Sequence, residues 1–135
     1  MQFLSHECRV LVFMGRNEDS IARGFEALTL IGLELSIFVE NPSLVSSYES
    51  EMLESIDAKT SEGGILETFQ RLPTLTDKFI TASHSIIVEM IAPLALSTPH
   101  MLHTLPLVGS VLTLEYGKSV HSAFYVKFTH STSNK

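Results

Sequence analysis

The stretch FITASHSIIVEMIAPLAL, from Phe79 to Leu96, decides the fold class of this chain. A long apolar run of this kind is typical of strands in the core of a sheet, and we interpret it as β-structure. The Ser-Thr-Pro sequence at 97–99 resembles the start of a short helix, which Pro106 would limit. The tract from Ile86 to Leu114 contains Glu89, two histidines and three prolines, which a membrane-spanning helix would tolerate poorly. The region therefore predicts core strands around a short helix.

A change of hydrophobic period marks the segment SIARGFEALTLIGLELSIFVEN, residues 20–41. Ile21, Phe25 and Leu28 recur at helical spacing, and Gly32 suits the left-handed position that ends a helix. After Gly32 the period falls to two as far as Glu40, which predicts a half-exposed strand. The earlier run ECRVLVFM, residues 7–14, predicts another strand, covered on both faces.

A β-hairpin is predicted at the C-terminal end. SVLTLEY at 110–116 and VHSAFYVKF at 120–128 are apolar runs on either side of Gly117 and Lys118, which suit a Gly-X hairpin turn. Val120, Phe124, Val126 and Phe128 would face the core, with His121, Tyr125 and Lys127 on the opposite face. The segment 42–78 allows either a helix or a pair of strands. We therefore predict one α+β domain, residues 1–135, mainly an antiparallel sheet with two to four helices packed on it.

Composition narrows the classes of function. With 135 residues and a formal charge of −6, the chain suits one globular domain and disfavours independent binding to nucleic acid. Its single cysteine, Cys8, allows no internal disulfide, and the start MQFLSHECR does not resemble a secretory signal. We expect an intracellular protein, in the cytoplasm or nucleus, that does not bind membranes.

Histidines are the main candidates for catalysis or metal binding. His100 and His103 stand three residues apart, a spacing that can present two imidazoles to one metal, but a third ligand would have to come from His84, His121, Cys8 or an acid far along the chain. Solvent-facing or helix-capping side chains explain these residues more simply. The glycines form no phosphate loop and no Gly-x-Ser-x-Gly elbow is present. We therefore predict no catalytic residue, no cofactor and no metal.

Three segments give the chain a resemblance to one domain of the DNA sliding clamps. IARGFEALTLIGLELSIFVENPSLV resembles the clamp segment in which a helix passes into a strand. SIIVEMIAPLALSTPHMLHTLPLVGSVLTLEY is similar to a later strand, short helix and strand, and HSAFYVKFTHS to the closing strand. The resemblance implies pairing of strand edges, a surface that accepts peptides, and a place in a replication, repair or chromosome-maintenance complex. Clamps chain several such domains and line their channel with Lys and Arg, which this chain does not reproduce.

These observations predict a non-enzymatic interaction or assembly subunit that forms a homo- or hetero-oligomer. One alternative is a small acidic inhibitor or immunity protein, which would bind a basic partner through the acid-rich segment Glu49 to Glu67. Another is a small enzyme that uses His84, His100, His103 or Cys8. The predicted interaction residues lie in the acidic segment and on the final strand: Glu49, Glu51, Glu54, His121, Tyr125 and Lys127.

Overall fold

A computed structural model describes residues 17–60 and 64–133 of the chain, and within these ranges it contains helices and no strand. Two 3-10 turns, Pro42–Leu44 and Pro99–Met101, precede longer helices. The α-helices are α1 (Asn17–Thr29), α2 (Ile37–Glu40), α3 (Val45–Lys59), α4 (Gly64–Arg71), α5 (Lys78–Ser97), α6 (Thr104–Tyr116) and α7 (Ser122–Ser133). The prediction of an α+β fold with a mainly antiparallel sheet is therefore wrong. The strand predicted at 7–14 lies outside the described residues.

Helix α5 replaces the strands predicted at its position. Its first turn begins at Asp77, whose carboxylate accepts the backbone N–H groups of Phe79 at 2.8 Å and Ile80 at 3.1 Å. The buried side chains on its inner face recur at helical spacing: Ile80, Ser83, His84, Ile87, Met90 and Leu94. A nearly continuous apolar run looks the same in a buried strand and in a buried helix, which is why the sequence pattern misled.

The other two predicted β segments are wrong for related reasons. Residues 33–35 form a connection, and the following residues, where an alternating strand was expected, turn into α2. Gly32 does end the preceding turn in the left-handed region, with φ of 88°. In the predicted hairpin, Gly117 has φ of 121° and joins two helices, α6 and α7. Within the described ranges, Thr74 and Lys118 form the one isolated β-bridge.

The helices form one hydrophobic core around α5. This helix packs against α1 on one side and α6 on the other, and α6 also contacts α3 and α7. Two glycines allow close approach: a Cβ at Gly24 would lie 2.3 Å from Met90 Sδ, and one at Gly109 would lie 2.5 Å from ring carbons of Tyr125. The α1–α5 and α6–α7 contacts therefore depend on the absence of a side chain at these positions.

Helix α5 is also long and apolar enough to cross a membrane, judged by length and composition alone. Half of that stretch is buried against the rest of the chain, a pattern that the core helix of a globular protein also shows.

Replacing Gly109 with alanine tests the α6–α7 contact. Alanine favours helix by about 1 kcal/mol, yet we expect the variant to lose about 1–3 kcal/mol of unfolding free energy because the new methyl overlaps the rigid Tyr125 ring. Urea unfolding would measure the difference. Gly24→Ala should cost less because the overlapping Met90 side chain is flexible. A Gly109→Ala variant as stable as the wild type would contradict the close packing of α6 on α7.

The helical start of α5 can be tested at its cap. Asp77→Ala should lower stability by about 1 kcal/mol because two backbone N–H groups lose their acceptor. Asp57→Ala is the matched control, since Asp57 is an exposed acid near the C-terminal end of α3, where a negative charge opposes the helix dipole. The melting temperatures of the two variants, measured by thermal unfolding, test this expectation. If Asp77→Ala melted at the same temperature as Asp57→Ala, the capping role of Asp77 would be ruled out.

Candidate functional site

The predicted acidic site does not form one surface. Glu49 is half-buried and turns towards the start of α6, where its carboxylate lies 3.5 Å from Thr104 Oγ1. Burial raises the pKa of Glu49, and His103 and the Thr104 hydroxyl partly offset that rise. Glu51 and Glu54 are exposed, and Glu51 lies about 200° around the helix from Glu49. The three carboxylates therefore cannot contact one partner surface together.

The three interaction residues predicted on the final strand also fail to form one exposed surface. Tyr125 is fully buried and its hydroxyl donates a hydrogen bond to the backbone carbonyl of His84, so it cannot be a docking contact. Lys127 is exposed on α7. His121 is half-buried, with Nε2 at 3.3 Å from Ser85 Oγ. The helical period moves Tyr125 into the core, where the expected period of two had placed it outside.

The histidine pair proposed as metal ligands makes other contacts. His100 Nε2 lies 2.8 Å from the Phe38 carbonyl oxygen, and the His103 ring packs edge-on against Phe128 at 5.4 Å. Among the residues described, no group of three His, Cys, Asp or Glu side chains is close enough to hold a metal ion. Cys8, the candidate nucleophile, lies outside the described ranges.

A buried polar cluster joins α5 to the start of α7. His84 is fully buried, and its Nδ1 lies 2.5 Å from Ser119 Oγ. Ser119 Oγ also accepts the N–H of His121 at 3.2 Å, so we assign its own proton to the bond with Nδ1. Ser122 Oγ accepts the N–H of Ser119 at 2.8 Å and lies 2.9 Å from Thr113 Oγ1. The cluster thereby holds the first turn of α7 against α5 and α6.

The alternative of a small enzyme included His84 among its candidate residues, and this cluster resembles a serine–histidine pair. Burial lowers the pKa of His84 to about 4, and its electrostatic interaction with His121 acts in the same direction. An imidazole with this pKa is a weak base at neutral pH. Its Nε2 is buried with no hydrogen-bond partner in the described part of the chain, so no carboxylate orients it as in a catalytic triad. The cluster is suited to holding helices together.

A groove with an apolar floor and acidic edges lies where α1, α2 and the C-terminal end of α5 meet. Its volume is about 600 Å³, and we call it the acid-rimmed groove. Ile21 and Phe25 of α1 form its buried floor, and the half-buried Val39 of α2 adds to it. The rim carries three exposed glutamates, Glu18 and Glu26 on α1 and Glu40 on α2. The remaining lining residues are Ala22, Thr29, Ser36, Ser97 and Thr98.

The charged side chains that line the acid-rimmed groove are all acidic. Among the residues that the structure describes, those that line it include no Lys, Arg or His. Glu26 pairs with Arg23 at 2.7 Å on the helix surface, and no ion pair within the described ranges involves Glu18 or Glu40. The groove therefore combines an apolar floor with negative charge on both sides.

A second depression, of about 470 Å³, lies between α5 and the start of α7. Its lining is apolar except for His121, and it contains no carboxylate. Nothing in the described structure indicates what would cover it, so the acid-rimmed groove is the stronger candidate site.

Sequence reasoning missed this site for identifiable reasons. Glu18 and Glu26 stand eight residues apart on α1 and so share one side of the helix, a signal that was present in the sequence. Glu40 was expected on the outer face of a strand. Only the turn at Gly32 and the short helix α2 bring Glu40 to the opposite side of the same groove.

Comparisons with protein-family models, with curated proteins and with solved structures find no match for this chain. The resemblance to sliding clamps therefore stays a prediction, and the sheet that it implied is not present in the described residues.

The buried imidazole predicts a pH dependence of stability. In the unfolded chain His84 would titrate near 6.5, and in the folded chain near 4, so the unfolded state binds the extra proton between these values. Stability should therefore be unaffected by His84 above pH 6.5 and fall as the pH drops towards 4, by about 3 kcal/mol in total.

The contribution of His84 can be separated from that of the carboxylates. We expect His84→Gln to flatten the fall in unfolding free energy between pH 6.5 and 4, measured by urea unfolding at a series of pH values. Ala123→Gln is the control, because Ala123 is exposed on α7 and the change introduces glutamine without removing an imidazole. Identical profiles for the wild type and His84→Gln would contradict the burial of a neutral imidazole.

Proposed function

We propose that this protein is a non-enzymatic interaction subunit that assembles with a partner protein through the acid-rimmed groove. The observation that carries the proposal is an open groove of about 600 Å³ whose rim bears three exposed glutamates and no cation among its described lining residues. Ile21 and Phe25 at the base of the groove are already buried in the core, so the groups offered to a partner are those of the rim, whose charge favours a partner of complementary charge.

The lining of the groove supports binding rather than catalysis. Apart from apolar side chains it offers exposed carboxylates and Ser or Thr hydroxyls, and no base lies beside a hydroxyl there. Acid catalysis at neutral pH uses carboxyls in surroundings that disfavour their charge, whereas these three glutamates face solvent. The small-enzyme alternative based on His84 is disfavoured by the complete burial of that residue.

The alternative of an acidic inhibitor based on Glu49, Glu51 and Glu54 has less support. Those carboxylates lie on different sides of α3, and Glu49 is engaged with α6. Placement in a genome-maintenance complex rested on the resemblance alone, so the proposal names no pathway.

Blocking the groove tests the proposal. Ala22 is an exposed lining residue, and Ala22→Trp would fill the space above the floor without disturbing the core. Ala123→Trp is the matched control, because Ala123 is exposed on α7 and does not line the groove. The measurement is the mass, by light scattering, of tagged full-length protein purified from expressing cells at low salt.

We expect the wild type and Ala123→Trp to elute as a complex of defined mass, and Ala22→Trp to elute as the free chain. Thermal unfolding would confirm that each variant is folded. A wild-type chain that purifies only as a monomer, or a complex that survives Ala22→Trp, would overturn the proposal.

A further inference from the structure

The chain enters α7 through a short segment, residues 119–124, that is attached to the core beside one buried imidazole. We call these six residues the entry segment. We propose that the attachment is an acid-sensitive switch: when His84 gains a second ring proton, the entry segment separates from α5 while the rest of the helical core stays folded. The switch is independent of the acid-rimmed groove and of the function proposed for it.

Hydrogen bonds hold the entry segment to the core. Ser119 Oγ lies 2.5 Å from His84 Nδ1, and Ser85 Oγ lies 3.3 Å from His121 Nε2. Both contacts join the segment to α5. The buried hydroxyl of Ser122 adds a contact with α6, at 2.9 Å. The polar cluster is therefore the main attachment of the segment.

Apolar burial contributes little to this attachment. Val120 is 91 % exposed, Phe124 is 49 % exposed, and Ala123 also faces solvent. The next two residues of α7, Tyr125 and Val126, are fully buried. An opening that stops at Phe124 therefore leaves the apolar contacts of α7 in place, and it requires less free energy than unfolding of the whole chain.

Both ends of the entry segment are fixed by contacts that do not involve the imidazole. Before it, the Lys118 N–H donates to the Pro73 carbonyl at 2.8 Å, and the Leu75 N–H donates to the Lys118 carbonyl at 2.7 Å. After it, the Tyr125 hydroxyl donates to the backbone carbonyl of His84. A change in the charge of the imidazole leaves these bonds intact, so the movement is confined to the segment between them.

A second proton on His84 is unfavourable in the closed arrangement. The side chain is fully buried, and no hydrogen bond or ion pair joins it to a carboxylate in the described part of the chain. Ser119 Oγ can still accept from a protonated Nδ1 if its own proton turns to Ser122 Oγ, 3.3 Å away. The charge then remains without water and without a counter-charge. Opening hydrates the imidazolium and removes this penalty.

The titratable groups around the imidazole do not compensate for the charge. Burial, and then the electrostatic interaction with His121 of α7, lower the pKa of His84 to about 4. The Tyr125 ring meets the imidazole edge-on at 5.6 Å, with its hydroxyl bonded to the backbone. In the preceding turn, the Lys118 ammonium lies 5.3 Å from the centre of the Phe69 ring. No other described element brings a titratable side chain into hydrogen-bond contact with either ring nitrogen.

The two pKa values of His84 set the direction and size of the effect. The imidazole titrates near 6.5 when it is hydrated and near 4 when the segment is closed, so the open form binds the extra proton between these values. Opening is therefore independent of His84 well above pH 6.5 and increases as the pH falls. The ratio of open to closed molecules should rise about 100-fold between pH 7 and pH 4.

Amide hydrogen exchange of the full-length protein, followed by NMR, tests the switch. The reporters are the hydrogen-bonded N–H groups of Ser119, His121, Ser122 and Phe124. We expect their protection, corrected for the intrinsic exchange rate at each pH, to fall about 100-fold from pH 7 to pH 4. This exchange should depend little on added urea, because a local opening exposes little surface. Core amides that exchange through complete unfolding depend strongly on urea and are the internal reference.

Two variants identify the titrating group. His84→Gln should abolish the pH dependence in the entry segment, because glutamine does not take up the proton. His121→Gln is the matched control and should retain it, since burial of His84 is the larger cause. An unchanged pH dependence in His84→Gln, or its loss in His121→Gln alone, would overturn the proposal.

A pH dependence confined to the urea-sensitive amides would also overturn it, because the chain would then respond only by unfolding as a whole. If His84→Gln does not fold, the ring of His84 can be titrated by NMR in the wild type. A midpoint below pH 5, with parallel loss of protection in the entry segment, would support the switch, and any other result would contradict it.

Discussion

The burial of α5 between α1 and α6 is the constraint on which the rest of the structure depends. Its apolar run cannot remain in water, and inside the core every backbone N–H and C=O needs a partner. Where no neighbouring strand supplies those partners, only a helix satisfies them within the run itself. Gly24 and Gly109 then allow the flanking contacts to be close, because a side chain at either position would overlap its neighbour.

Polar side chains in this core fix the arrangement of the helices. The cluster of His84, Ser119 and Ser122 joins the first turn of α7 to α5, and Ser110 of α6 donates to the Tyr125 carbonyl at 2.8 Å. Such contacts are directional, so they select one register of α7 among those that apolar packing alone would allow. The same burial that makes the cluster effective in packing makes His84 a poor base.

The candidate site arises where the core stops. Helix α1 packs on α5, and the chain then turns at Gly32 so that α2 lines a groove together with α1 and the C-terminal end of α5. This leaves Ile21 and Phe25 as the floor of an open groove with glutamates on both sides. The functional proposal follows from that juxtaposition, in which the charge on the rim selects a partner of complementary charge.

The sequence by itself determined which residues are apolar, where the chain turns at Gly32 and Gly117, and that its surface is acidic. The helical stripe of Ile21, Phe25 and Leu28 was predicted correctly, because polar residues separate its members and reveal the period. In the runs at 79–96 and 120–128 few polar residues interrupt the pattern, so its period does not distinguish strand from helix. Only the tertiary structure decided that choice, and with it the pairing of Glu18 and Glu26 with Glu40 across one groove.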